Sequence, residues 1–216
     1  MATKKAPAKK APAAKKAPAK KAPAAKKPAT AAKKAPAKKA PAAKKAPAKK
    51  PATAAPAPAV RPAPKVGSVA PAFSLPASDG AEVSLAGLKG KRVVLYFYPK
   101  DNTPGCTIEA CGFRDASAEF AAQNAVVLGV SRDSVKSHQG FIAKQGLDFV
   151  LLSDPAGEVI SAYGSWGPKK FMGREFDGIL RTTVLIDEKG KIAKVYPKVS
   201  PKTHAAEILA DLEAMG

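Results

Sequence analysis

The first 65 residues contain no acid, no aromatic residue, no Gly, no Leu and no Ile. They consist of 27 Ala, 19 Lys, 13 Pro and 3 Thr, with single Met, Val and Arg residues. Met1 and Val60 are the only bulky apolar side chains there, so burial cannot offset the entropy of ordering. Residues 1–65 are therefore predicted to be disordered, and any fold must be built from residues 66–216.

The same boundary divides the charge. The formal +20 sits wholly in residues 1–65, and residues 66–216 balance 17 Lys+Arg against 17 Asp+Glu. The tail is internally repetitive: KKAPAKKAPAA stands at 4–14, 15–25 and 33–43, and KKPATAA at 26–32 and 49–55. Solenoid repeats stack through apolar residues, and these repeats offer only Ala. A charged, partly polyproline-II rope is expected, reaching on the order of 200 Å if fully extended. Residues 55–64, APAPAVRPAP, lose Lys and read as a stiff linker. No run of 18 apolar residues marks a membrane span, and no apolar core follows the first lysines to make a secretory signal. The tail lacks Ser and an amphipathic pattern, so it does not read as a transit peptide.

The remaining 151 residues are the length of one domain. Residues 73–75 and 81–85 flank Ser78-Asp-Gly80 and predict a short hairpin. Val93–Tyr98 is a continuous apolar, β-rich run, predicted to be a central strand buried on both faces. Next, Thr103 suits an N-cap, Pro104 the first helical position, and Cys106 falls third. That helix is expected to reach about Asn124, with Phe113, Ala116 and Phe120 on its buried face. Further strands are expected at 125–130 and 149–152, helices at 134–145 and 156–163, and a hairpin joining 182–186 to 192–196. A final helix over 203–215 should bury Ile208, Leu212 and Met215. Strands alternating with helices, plus a late hairpin, indicate an α/β domain with a mixed sheet.

Two cysteines, Cys106 and Cys111, do not suggest a disulfide framework in a chain without an export signal. They point to catalysis or metal binding. Cys106 falls in the first turn of a helix, where unpaired backbone N–H groups and the positive helix end favour a thiolate. The Thr103 hydroxyl is expected to reach the sulfur while capping the helix. Positions five apart on a helix are separated by ~7.5 Å along the axis and ~140° around it. That exceeds the roughly 7 Å Cα limit for a disulfide, so any bond between them requires the first turns to unwind. Gly112 weakens the helix at that place. Zinc would need four ligands, and His138 and His204 lie far off in sequence. A thioredoxin-type exchanger would show Cys-x-x-Cys.

Pro99-x-x-x-Thr103-x-x-Cys106 resembles the active-site signature of peroxiredoxins. The fuller YFYPKDNTPGCTIEACGFRD is similar to the Q type, also called bacterioferritin comigratory protein. APAFSLP (70–76), GVSRDSVKSH (129–138), KQGLDFVLLSDP (144–155) and KKFMGREFDGILRTTVLID (169–187) extend the resemblance over essentially all of 66–216. Ala72 stands where that family usually has Asp, and the Lys/Ala/Pro tail is no part of the pattern. The resemblance implies a thioredoxin-like fold at 66–216 and a peroxidase using no cofactor, metal or haem. It implies Cys106 as peroxidatic cysteine, Thr103 as its hydrogen-bonding partner and Pro99 as a shield of the pocket. Arg181 becomes the guanidinium that stabilises the thiolate, and Cys111 the resolving cysteine. The implied partners are a hydroperoxide and a dithiol reductant such as thioredoxin, and the implied protein is a cytoplasmic monomer.

Other residues read as structural. His138 is expected to be half-buried and His204 at the surface. Trp166 and Met172 should lie in a Gly-rich loop, with Glu175 and Asp177 pairing with Arg174 and Arg181. The tail is similar to linker-histone tails, and Lys4, Lys5, Lys9, Lys10, Lys15, Lys16, Lys20 and Lys21 are its candidate phosphate-neutralising residues. Without aromatic or Arg-rich elements such binding should be sequence-blind, to DNA at the nucleoid or to another polyanion. The alternative is a nucleoid-associated binding protein whose folded domain is incidental.

Overall fold

The computed structural model describes residues 57–171 and 173–215. The expected disorder of the tail falls outside the described residues up to Pro56, as do the candidate lysines Lys4 to Lys21 and Met172. Among the described residues no helix is long and apolar enough to cross a membrane.

Strands β1 (Ser74–Pro76) and β2 (Glu82–Ser84) form the expected antiparallel hairpin, followed by a 3₁₀ turn at Leu85–Leu88. Strand β3 (Arg92–Phe97) leads to α1 (Pro104–Asp115) and α2 (Ser117–Ala122). Then come β4 (Ala125–Ser131), α3 (Val135–Gln145), β5 (Leu151–Ser153) and α4 (Glu158–Ala162). The chain closes with β6 (Trp166–Phe171), β7 (Arg174–Ile179), β8 (Thr182–Ile186), β9 (Ile192–Tyr196) and α5 (His204–Ala214). The main sheet has the order β5-β4-β3-β8-β9. β3 lies parallel to β4 and antiparallel to β8, so the sheet is mixed and β3 is central, giving the thioredoxin-like architecture.

Alternation along β3 sets the two cores. Val93, Leu95 and Phe97 face a layer holding the β1–β2 hairpin, Ile160 of α4, Tyr163 just after it, and Trp166. Val94, Tyr96 and Tyr98 face the other layer, with Phe113 of α1, Phe120 of α2, Phe141 of α3 and Ile208 and Leu212 of α5.

Four expectations are corrected. The helix expected to reach Asn124 is two helices, broken at Ala116, whose backbone lies at φ −103° and ψ 10°. Trp166 lies in a two-stranded hairpin rather than a loop, with Gly173 at φ 78° in its turn. Met215 is exposed, so α5 buries only the Ile208 and Leu212 part of its expected stripe. Both histidines are fully buried. His204 bonds Thr183 Oγ1 through Nε2 at 2.7 Å between the edges of Phe113 and Tyr196, and His138 bonds Asp101. Each ring's partners lie on elements distant in sequence, which spacing along its own helix does not reveal.

Candidate active site

β3 delivers the chain to a bend at Pro99, which is half-buried, and then to the start of α1. Thr103 has extended backbone at φ −86° and ψ 149°, and Pro104 occupies the first turn. Pro suits that position because its missing N–H would have no intrahelical partner. Cys106 on the first turn is buried against Tyr96, Tyr98 and Phe113, and Cys111 on the same helix is partly buried.

The loop before α1 is fastened by a carboxylate. Asp101 accepts hydrogen bonds from Tyr98 Oη at 2.7 Å and Ser137 Oγ at 2.6 Å, and lies 3.0 Å from His138 Nδ1. Its own backbone N–H donates to Asp133 Oδ2 at 2.8 Å. Burial raises the Asp101 pKa, but bonds from His138, Ser137 and Tyr98 outweigh it and hold the carboxyl below its ordinary value. This network ties the loop that carries Pro99 and Thr103 to β4 and α3.

Arg181, immediately before β8, crosses to α1. Its Nη2 stands 3.1 Å from Cys106 Sγ, and its Nη1 donates to Glu109 Oε2. Burial lowers the guanidinium pKa, yet Glu109 and Cys106 more than offset this and hold it above its usual value. Gly105 makes room, since a Cβ there would sit 3.2 Å from Arg181 Nη2. A fixed cation at hydrogen-bond distance stabilises negative charge on the sulfur and offers donors to an oxygen beside it. Lys169 of β6 adds a second cation on this side, its Nζ donating to the Ile179 carbonyl at 2.7 Å. Burial first, then Arg181, lower its pKa.

Glu109 lies in the candidate site, and the sequence reading missed it. It follows Cys106 by three positions, which puts both on one face of α1. Its side chain is only 1% exposed, and burial raises its pKa to about 7 against the opposing pull of Arg181. Its Oε1 is buried without a hydrogen-bond partner among the described residues. The i, i+3 spacing was the available signal.

Thr103 departs from expectation. Its hydroxyl donates to the Lys100 carbonyl at 3.0 Å, and it makes no side-chain cap bond to the helix. Its backbone carbonyl accepts from Thr107 N at 2.9 Å, so it still opens α1. Arg181 pairs with Glu109, and Glu175 lies 3.5 Å from Lys170 across the β6–β7 hairpin, so the expected local pairing of these charges does not form. Trp166 packs in the core with Arg132 over its ring.

The AhpC/TSA family profile matches residues 66–195. The chain is 52% identical over 148 residues to a putative peroxiredoxin Bcp of Coxiella burnetii, covering 68% of this chain and 98% of that protein. It is 46% identical over 151 residues to peroxiredoxin Bcp of Bacillus subtilis, covering 70% and 96%. Among solved structures, peroxiredoxin Q of Xanthomonas campestris superposes with a TM-score of 0.63 at 42% identity, covering 66% of this chain and 90% of that one. Peroxidoxin BcpB of Mycobacterium tuberculosis gives 0.63 at 37% identity, covering 70% and 98%. The fold holds a buried cysteine within hydrogen-bond distance of an arginine. The chain belongs to the AhpC/TSA family, in its peroxiredoxin Q/Bcp group of thiol-dependent peroxidases.

Proposed function

We propose that Cys106 is the peroxidatic cysteine of this enzyme and Cys111 its resolving partner. The observation that carries the assignment is the 3.1 Å approach of Arg181 Nη2 to Cys106 Sγ. The thiolate attacks one oxygen of the hydroperoxide, and the S–O bond forms as the O–O bond breaks. The departing alkoxide or hydroxide takes a proton and leaves as alcohol or water. Arg181 steadies the sulfur anion first and the charge on the parting oxygens next. Cys106 is then a sulfenic acid. The Cys111 thiol attacks that sulfur, water departs, and a disulfide remains. An external dithiol of the thioredoxin class reduces it by exchange and carries the oxidising equivalents away.

Pro99 and Thr103 act in this scheme by placing the start of α1, Pro99 closing the bend and Thr103 presenting its carbonyl to Thr107. The basic tail supplies a separate, sequence-blind affinity for DNA or another polyanion through phosphate neutralisation. Cys106→Ser should abolish dithiol-coupled peroxide turnover. Cys111→Ser should still consume one equivalent of peroxide and then stall until an external thiol is added. Turnover retained by Cys106→Ser would overturn the assignment. Absence of turnover in the unaltered chain would favour the architectural reading of the tail over the enzymatic one.

A further inference from the structure

Residues 57–65 carry no helix or strand, yet they lie along a specific part of the domain. Three contacts place them beside α4. Gly157, at its N-terminal end, has φ 76°, and a Cβ there would sit 2.7 Å from Pro58 Cγ. Ser161, within the helix and 3% exposed, donates its hydroxyl to the Ala59 carbonyl. Gly164, just past the helix, has φ 68°, and a Cβ there would collide with the Ala63 backbone and sit 2.8 Å from the Pro62 carbonyl carbon. The two glycines therefore frame the helix, and the linker occupies the space that side chains would need.

The linker is chemically suited to this place. Pro58, Pro62 and Pro64 have a fixed φ, and Ala57, Arg61 and Ala63 are restricted because each precedes a proline. Only Ala59 and Val60 keep ordinary backbone freedom, so docking the segment costs little conformational entropy. Its C-terminal end is already fixed, since Gly67 N donates to the Ile192 carbonyl at 2.7 Å and Ala70 N to the Gly190 carbonyl at 3.0 Å. The Tyr163 hydroxyl donates to the Pro71 carbonyl at 2.7 Å and holds the next stretch against α4.

We propose that α4, with its flanking glycines, is a docking groove for a proline-restricted strand, and that its occupant is this chain's own residues 57–64. The linker is then a strap on the domain rather than a free tether. α4 packs with Val93, Leu95 and Phe97, whereas Cys106 packs with Val94, Tyr96 and Tyr98. The strap therefore lies on the face of the sheet opposite the thiol. Whatever the basic repeats bind, their point of attachment is held on the face of the sheet away from Cys106.

Backbone ¹⁵N relaxation on the full-length chain tests this. Amides of Ala59, Val60, Arg61 and Ala63 should show order parameters near about 0.8, like the sheet, and values below about 0.6 would overturn the strap. Ser161→Ala and, separately, Gly164→Ala in the full chain should lower those values towards the flexible range. Peroxide turnover per molecule should not change. The Ser161→Ala side chain fits the site without backbone strain, so it guards against a folding defect in Gly164→Ala. Order parameters at 59–63 that neither substitution moves would refute α4 as the groove.

Discussion

At Glu109 burial and ion pairing pull in opposite directions, and burial prevails. Its pKa is raised to about 7, so the folded protein keeps a proton that the unfolded chain has released. Stability should therefore fall as pH rises from the ordinary glutamate range to about 7, because the unfolded state there binds fewer protons. His204 acts in the other direction. Burial lowers its pKa from 6.5 to about 4, so its contribution is complete above the unfolded value and is lost as pH falls through that window. Urea midpoints at pH 5.5 and pH 8 should separate the two. Glu109→Gln should gain relative to the unaltered chain at the higher pH, and His204→Gln should gain relative to it at the lower. Equal pH slopes in all three proteins would contradict both placements. At Arg181, substitution by Gln should slow oxidation of Cys106 by about a hundredfold or more, the scale of losing one preorganised donor in an anion site. Stopped-flow peroxide consumption measures this directly, and a rate within a fewfold of the original would remove Arg181 from the chemistry.

On the scale of elements, α1 is the part that must move in the proposed cycle. It runs unbroken from Pro104 to Asp115 and carries both cysteines, which stand ~7.5 Å apart along its axis. A bond between their sulfurs requires its first turns to open, so amides of residues 106–112 should lose hydrogen-exchange protection in the disulfide form. Protection unchanged between the dithiol and disulfide proteins would contradict that movement. The start of α1 was legible because Thr103 and Pro104 are local signals, and β3 because an apolar run of that length has few other uses. The β8–β9 hairpin was legible from its turn residues. Other features depend on distant partners. The break at Ala116 has no Pro or Gly to mark it. The β6–β7 hairpin mixes Gly, Pro and charge, and its strands read as loop. His204 looked like a surface residue of a first turn, and only its bond to Thr183 and the rings of Phe113 and Tyr196 explain its burial. The approach of Arg181 to Cys106 was expected from the peroxiredoxin resemblance, whereas the spacing that puts Glu109 on the face of Cys106 does not by itself name Arg181 as its partner.

For the whole molecule, the proposed polyanion affinity and the proposed peroxide chemistry fall on different parts of the chain. Residues 1–56 hold 18 of the 19 tail lysines and none of the candidate catalytic residues. Deleting them should remove affinity for duplex DNA while leaving peroxide turnover per molecule nearly unchanged. In the full chain the logarithmic salt dependence of binding should be no steeper than roughly −18, at about −0.9 for each of the tail cations engaged. Titration of labelled duplex at several salt concentrations checks this, and DNA affinity that survives the deletion would contradict the division. The proposed cycle turns on the buried thiol beneath Arg181. Its most direct test is to add one equivalent of hydroperoxide to the reduced full-length protein without any reductant, then map the cysteines by peptide mass spectrometry. Loss of two hydrogens and a Cys106–Cys111 link within one chain are the expected result. With Cys111→Ser, the same treatment should leave a sulfenic acid on Cys106. Cysteines that remain reduced, or oxidation found on Cys111 with Cys106 intact, would contradict it.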